Sequence, residues 1–372
     1  MNVLELTEAR DPYYNEGKDA HWKMREVYIM KKYLLPQGGR FYKANLHCHS
    51  TVSDGKWTPE RIKEEYKARG YSIVAYTDHD VMIPHPELSD DDFLAMTGYE
   101  MEVPDTNSGL AFKYRKTCHM RLVALRPDME KQVCWHREKY LIGNGAEYRD
   151  QVKFDEDLPD FERNYDPACI NEMMRIGREN GFFVTYNHPC WSMENYGDYS
   201  GYENMHAMEI CNYNSLVAGH AEYVPHVYDE LLRQGKRIYC IATDDNHDVH
   251  PADSPRNDSF GGFTMIKAES LDYTAIGEAL LAGNFYASQG PVIEELWFED
   301  GNLHVKSSAA EKITMTTGTR KVRSAFREKG KRLTEATFEV QPDDIYVRVT
   351  VTDKHGLHAD TNAYFVDELF SD

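Results

Sequence analysis

The sequence contains no C-x-x-C pair. Its 7 cysteines are odd in number and scattered, so neither a disulfide framework nor a zinc ribbon is indicated and a reducing compartment fits best. Long apolar runs are missing too. No segment approaches membrane-spanning length, and the opening MNVLELTEARDPYYNEGKDAHW carries charges where a signal peptide needs an uninterrupted apolar stretch. A soluble, cytoplasmic chain is expected. Positive charge is in short supply, with 42 Lys and Arg against 62 Asp and Glu and a formal net charge of -20. That balance argues against non-specific binding to nucleic acid or to an anionic membrane. An anionic substrate would need a local positive site, which bound divalent cations can supply. Low-complexity tracts and repeats of solenoid period are absent.

What is present is room for a core: 372 residues suffice for one large α/β domain and a smaller one. RFYKANLHCHS, residues 40–50, reads as a strand ending in polar residues. A helix follows, with Thr58 as N-cap, Pro59 at its first position, Ile62 and Tyr66 on one face, and Gly70 as the stop. The apolar run SIVAY then leads into TDHD. The pattern recurs twice. A helix opened by Asp166 and Pro167 and ended by Gly181 precedes FFVTY and NHP, and a helical stretch over 221–234 precedes RIYCIA and TDDNH. Strands that repeatedly deliver His or Asp at their carboxyl ends predict an α/β barrel. Residues 127–165 are polar, aromatic and weakly periodic, and are taken as an insertion over the site. Past Gly290 and Pro291 short alternating runs punctuated by Asp300-Gly301 and His355-Gly356 take over, as in a small antiparallel β-sandwich. The expected organisation is a domain over 1–290 and a second over 291–372.

His47 and His49 lie two apart on a strand, so both imidazoles can face one metal while Cys48 points away. Asp54 follows in SDG, Asp78 and His79 end the next strand, and Glu100 ends LAMTGYE. His119 opens HMRLVAL, His188 sits in NHP, and Asp245 and His247 lie two apart in TDDNH. Each alone reads equally well as an ordinary strand-end residue; the ordered set is what points to chemistry. Carboxylates mixed with imidazoles, without thiolates, suit manganese, iron or zinc. Two or three such ions could polarise a phosphoryl or carbonyl oxygen and generate hydroxide from water at neutral pH.

NLHCHSTVSDG, AYTDHD, the strand ending in Glu100, CHMRLVAL, NHP and DDNH together resemble the successive motifs of the polymerase and histidinol phosphatase (PHP) superfamily, over roughly residues 40–290. The resemblance implies a distorted (β/α)7 barrel holding two or three divalent metals. It implies one ion on His47, His49, Glu100 and Asp245, with Glu100 bridging to a second on His119 and His188. A third would use Asp54, His79 and His247. It places Glu100, His79 and His247 among the catalytic groups, with a metal-held water or hydroxide as nucleophile. The β-rich tail and the YASQGP junction are similar to a subgroup that includes carbaryl-type hydrolases, in which a small β-domain follows the barrel.

Several assignments stay open on sequence alone. Asp244 competes with Asp245 as ligand, the D-x-H spacing favouring Asp245. Asp78 and Asp80 flank His79 and either orient ligand imidazoles or shape the turn. Cys48, Cys118 and Cys190 neighbour proposed ligands but read as small core residues. Arg256, His220 and His250 are candidates for gripping a substrate anion. The leading expectation is a phosphoesterase acting on a small phosphorylated molecule. The alternatives are a carboxylic or carbamate ester or amide hydrolase on the same scaffold, and a non-catalytic binding protein. An ordinary amidohydrolase would carry a strand-end lysine between its metals, where this chain has Glu100.

Overall fold

The computed structural model describes residues 31–371; the charged opening segment, on which the signal-peptide reading rests, lies outside them. Strand β1 (Arg40–Asn45) leads to helix α1 (Pro59–Lys67) and then to β2 (Ile73–Tyr76). Thr58 Oγ1 accepts from the Arg61 amide, Pro59 occupies the first turn, and Ile62 and Tyr66 are buried. After the helix the chain reverses at Gly70, whose φ of +76° is open to a residue without Cβ. Strand β2 pairs in parallel with β1 and with β3 (Leu94–Pro104).

The next strand breaks the pattern. β4 (Thr117–Ala124) runs antiparallel to β3 and to β5 (Phe182–Tyr186). Between β3 and β4 lie only residues 105–116, with two short turns and no crossover helix. A parallel neighbour is usually reached through a crossover helix, and this connection has none and returns the chain as an antiparallel partner. Parallel order then resumes: α2 (Pro167–Glu179) feeds β5, which pairs with β6 (Ala207–Asn212), and α3 (Tyr213–Ala218) and α4 (Pro225–Arg233) carry the chain on to β7 (Tyr239–Thr243).

The sheet is α/β, but among the described residues its ladders do not close. β7 and β1 meet only past their ends, through a parallel bridge between Cys48 and Asn246. The amides of Asp245 and His49 reach His47 O at 3.0 Å and Asn246 O at 3.1 Å. On its other side β1 pairs with β8 (Phe263–Ala268), which pairs with β9 (Phe285–Ser288). In the 127–165 segment the strands are only two residues long, at 131–132 and 153–154, beside two short helical turns.

The last third is β-structure in two layers. One layer joins β10 (Ile293–Glu299), β11 (Asn302–Ala310) and β14 (Leu333–Glu339), and 32–33 adds to its edge. The other joins β12 (Lys312–Thr317), β13 (Val322–Phe326), β15 (Tyr346–Thr352) and β16 (His358–Thr361). Asp300 and Gly301, at φ +49° and +74°, form the two-residue turn between β10 and β11, matching the twist of a hairpin. Leu296, Phe298, Leu303 and Val305 share one buried apolar core with Ile313, Met315, Val347 and Val349. The second layer is not free-standing: β16 pairs antiparallel with β9, so one sheet runs from the first body into the tail. Buried Arg348 on β15 adds an ion pair to Asp229 on α4, with Nε 2.9 Å from Oδ1 and Nη2 2.8 Å from Oδ2. No helix among the described residues is long and apolar enough to cross a membrane.

Candidate metal centre

Every residue named as a ligand from the sequence converges on one edge of this sheet. His47 and His49 follow β1, and Asp54 lies in the turn before α1. His79 follows β2 and bridges to Glu100. Glu100 is not at a strand end, as its run suggested: β3 continues to Pro104, and Glu102 is presented on the same face two residues on. His119 opens its apolar run where the other candidates close theirs, and lies near the start of β4. The reversal of β4 resolves this, since the start of an antiparallel strand lies at the edge where its neighbours end, and His119 pairs in register with Glu102. His188 and Asp245 have φ of +22° and +55°. Outside turns, residues other than glycine held this way cluster at functional sites, where the surroundings over-determine the backbone. The TDDNH segment is therefore not extended, and Asp245 and His247 serve different groups.

Glu100 is the hub. Its Oε1 lies 3.2 Å from His47 Nε2, His119 Nδ1 and His188 Nε2, and its Oε2 lies 3.4 Å from His49 Nε2 and His79 Nδ1. Asp245 Oδ1 is 3.1 Å from His47 Nε2 and 2.9 Å from His49 Nε2. Nearer the mouth, Asp54 Oδ2 is 3.5 Å from His247 Nε2 and 3.9 Å from His79 Nε2. Ligand atoms close enough to share an ion form four groups: His47, His49, Glu100 and Asp245; His49, Asp54, His79 and His247; His79, Glu100 and His119; and His47, His188 and Glu209. The first two match sets expected from the resemblance, His49 joining the second. The third expected set, Glu100 with His119 and His188, is not drawn as tightly: the two imidazoles share Glu100 Oε1 but group with different partners.

The donors fit divalent ions better than they fit one another. His49 Nδ1, His79 Nδ1, both ring nitrogens of His119 and Asp245 Oδ1 are buried and have charged or polar neighbours at 2.9 to 3.8 Å, yet none of these meets them in hydrogen-bonding geometry, an expensive arrangement in a protein interior unless something else satisfies them. His47 Nε2 and His49 Nε2 face each other at 3.2 Å, close to the roughly 3.4 Å that two nitrogens on one tetrahedral ion would show at metal–nitrogen distances of about 2.0–2.1 Å. Burial and then His49 push His79 down to about 3, leaving a neutral imidazole able to ligate. Burial would raise Glu100, yet the histidines around it hold its carboxyl well below the usual range. His119 is pulled down by burial but carried up to about 10 by Glu100 and Glu102. Carboxylates this buried demand positive charge, and divalent ions at the same oxygens would supply it.

The alternatives left open separate cleanly. Asp244 turns away from the cluster and accepts from the amides of Phe260, Gly261 and Gly262 and from Tyr66 OH, at 2.8 to 2.9 Å, so it builds the loop behind the site. Asp78 accepts from the amides and hydroxyls of Ser50 and Ser53, and Asp80 pairs with Arg163, so neither orients a ligand imidazole. Cys48 and Cys118 are fully buried in apolar clusters and Cys190 packs against one; all three are free thiols. Arg256 and His250 line the cavity above the cluster, about 990 Å³ in volume, whereas His220 is exposed and not among its lining residues.

Sequence reasoning passed over several groups. Lys56 and Trp191 line the same cavity. Asn187 Nδ2 donates to Glu100 Oε1 at 2.6 Å. Glu209 on β6 is fully buried, with Oε1 2.8 Å from His47 Nδ1 and 2.9 Å from Arg121 Nη1. The one signal for it was a glutamate inside the apolar strand AMEICN.

No family model and no curated protein matches the chain. Among solved structures it is similar to a two-domain protein from Bacteroides vulgatus containing a predicted PHP-like metal-dependent phosphoesterase, at 15% identity over 91% of this chain and 100% of that one, with a TM-score of 0.42. A proposed metal-dependent phosphoesterase from Bifidobacterium adolescentis aligns at 15% identity over 57% of this chain and 89% of its own, TM-score 0.35. An amidohydrolase from Chromobacterium violaceum aligns at 13% identity over 55% and 87%, TM-score 0.34. Similarity at this level is weak, and the chemistry that follows rests on the side chains.

Proposed function

We propose that the chain is a metal-dependent phosphoesterase of the PHP kind, acting on a small phosphorylated molecule and using two or three divalent ions. The observation that carries the reading is the single carboxylate of Glu100, with His47, His49, His79, His119 and His188 all within 3.4 Å. A carboxylate with two oxygens can bridge ions, and so dense a ring of imidazole donors has little use otherwise. Seven strands, β1 to β7, with β1 and β7 touching at their carboxyl ends, suit a distorted barrel whose mouth is this edge.

His47, His49, Glu100 and Asp245 would hold one ion, and Asp54, His79 and His247, helped by His49, a second at the mouth. His119 and His188 flank Glu100 and would complete a third. Bound ions would supply Lewis-acid polarisation of a phosphoryl oxygen and a nucleophile from water at neutral pH. The chain's own contribution is orientation. Asn187 fixes one oxygen of Glu100, while Lys56 and Arg256 offer positive charge on the cavity wall to the substrate's anionic oxygens. Trp191 gives the wall a flat apolar surface for the rest of the molecule.

The test is metal analysis of the purified chain, followed by hydrolysis of p-nitrophenyl phosphate and of p-nitrophenyl acetate with added manganese, iron or zinc, and His79→Ala as background. Bound ions and metal-stimulated phosphate release are expected. Faster cleavage of the acetate would move the chain to the carbonyl-ester reading, and a metal-free, inert protein would discard catalysis altogether.

A further inference from the structure

Fully buried behind the cluster, Glu209 makes more polar contacts than a core carboxylate needs. Its Oε1 lies 2.8 Å from His47 Nδ1, and accepts from Arg121 Nη1 at 2.9 Å and Thr243 Oγ1 at 2.7 Å. Its Oε2 accepts from the His188 amide at 3.2 Å and Asn212 Nδ2 at 3.0 Å. We propose that Glu209 is a positioning residue that sets three ligands of the metal centre at once: the ring of His47, the backbone of His188 and, through Asn212, the carboxylate of Asp245. The inference rests on the metal-centre reading above and deepens it.

The first link fixes a tautomer. A carboxylate can only accept, so the proton of a neutral His47 ring sits on Nδ1, and the lone pair of Nε2 is left facing Glu100 and Asp245. The second link anchors strained backbone. His188 has φ +22°, and its amide is held from below by Glu209 while its Nε2 meets Glu100. The third link is directional as well. Asn212 Oδ1 accepts from the Ser215 amide at 3.0 Å at the start of α3, so its amide nitrogen is the end that faces the carboxylates, 3.0 Å from Glu209 and 3.1 Å from Asp245 Oδ2. Ligands on three separate segments are thereby referred to one side chain on β6. Arg121, also fully buried, supplies the opposite charge that lets a carboxylate sit there.

A purely structural ion pair would stabilise the fold without selecting particular ligands, and the experiment separates the two roles. Glu209→Gln keeps the shape and removes the charge. Manganese or zinc is titrated into chelator-stripped wild type and variant, with bound ions counted after dialysis and a visible spectrum recorded on the cobalt-loaded forms. Affinity for the ion on His47 is expected to weaken about 10- to 100-fold, as for loss of other groups that orient ligands, with an altered cobalt spectrum. Asp229→Asn, which breaks a buried pair that touches none of the candidate ligands, is the control: it should lower the Tm but keep full metal content. Equal metal affinity in wild type and E209Q overturns the inference, as does an equal loss of ions in D229N. Should E209Q not fold, Asn212→Ala carries the same test through the Asp245 link, with a several-fold weakening expected and unchanged affinity refuting it. A wild type that binds no ion overturns the metal-centre reading itself, which distinguishes that failure from this one.

Discussion

Chelation should cost this protein about 7 °C of thermal stability, and the figure follows from the geometry. Two groups of ligand atoms, His47, His49, Glu100 and Asp245, and His49, Asp54, His79 and His247, are each compact enough for one ion. An ion present at a hundred times its Kd stabilises the folded state by about 2.7 kcal/mol, so two contribute about 5.4 kcal/mol. For 372 residues, an unfolding entropy of about 2.1 cal/mol/K per residue gives about 0.8 kcal/mol per degree, hence a shift of about 7 °C. Removing the ions also leaves Glu100 and Asp245 buried with only the surrounding imidazoles to offset their charge, which pushes the shift upward. The assay is differential scanning fluorimetry of stripped protein with and without manganese or zinc, beside Glu100→Gln. In that variant the common neighbour of five imidazoles loses its charge, and the ion-dependent shift should fall by half or more. An unchanged Tm on adding metal, or a full shift in E100Q, would refute the reasoning.

Asp245→Asn should release ions, whereas Asp244→Asn should retain them and cost about 1–3 kcal/mol of stability through its lost loop contacts; metal counts and urea melts distinguish the two. Lys56→Ala and Arg256→Ala should each raise KM for a phosphate ester roughly tenfold, the size of a lost hydrogen bond to a charged group, with kcat little changed; equal loss in both constants would place these residues in the chemistry instead. Glu194, buried beneath the hydroxyls of Tyr165, Tyr186 and Tyr202, is pushed by burial up to about 7 from an ordinary 4.5, the three phenols partly offsetting the rise. Between those values the folded chain keeps a proton that the unfolded chain has released, so this contribution is present below pH 4.5 and lost as pH rises through 7. Glu194→Gln should flatten that part of the stability profile measured by urea unfolding from pH 4.5 to 8, and an unaltered slope would count against it.

The candidate ligands were legible because a strand with period two puts His47 and His49 on one side and because three strands end in His or Asp. Their meeting around Glu100 came from the resemblance alone, since a carboxylate inside a strand carries no local mark of being a hub. The direction of β4 was hidden for a different reason. Strand propensity is blind to polarity, and only the lack of a crossover helix over 105–116 held a clue. Beyond a glutamate inside an apolar strand, nothing local marked Glu209, because apart from Asn212 its contacts are to residues 21 to 162 positions away. Asp78 and Asp80 attracted attention through nearness in sequence to His79, yet their partners are Ser50, Ser53 and Arg163. The alternating tail announced its two layers, but its alternation could not say that β16 would pair with β9.

That last pairing has a consequence for anyone who would trim the molecule. Cutting after Gly290 would remove the partner of Phe285–Ser288 and leave its amides and carbonyls unpaired along an open sheet margin. It would also strip Asp229 of its buried guanidinium. A margin of that kind is a template for another chain, so the shortened protein should self-associate through β9, a margin that the tail covers in the full chain.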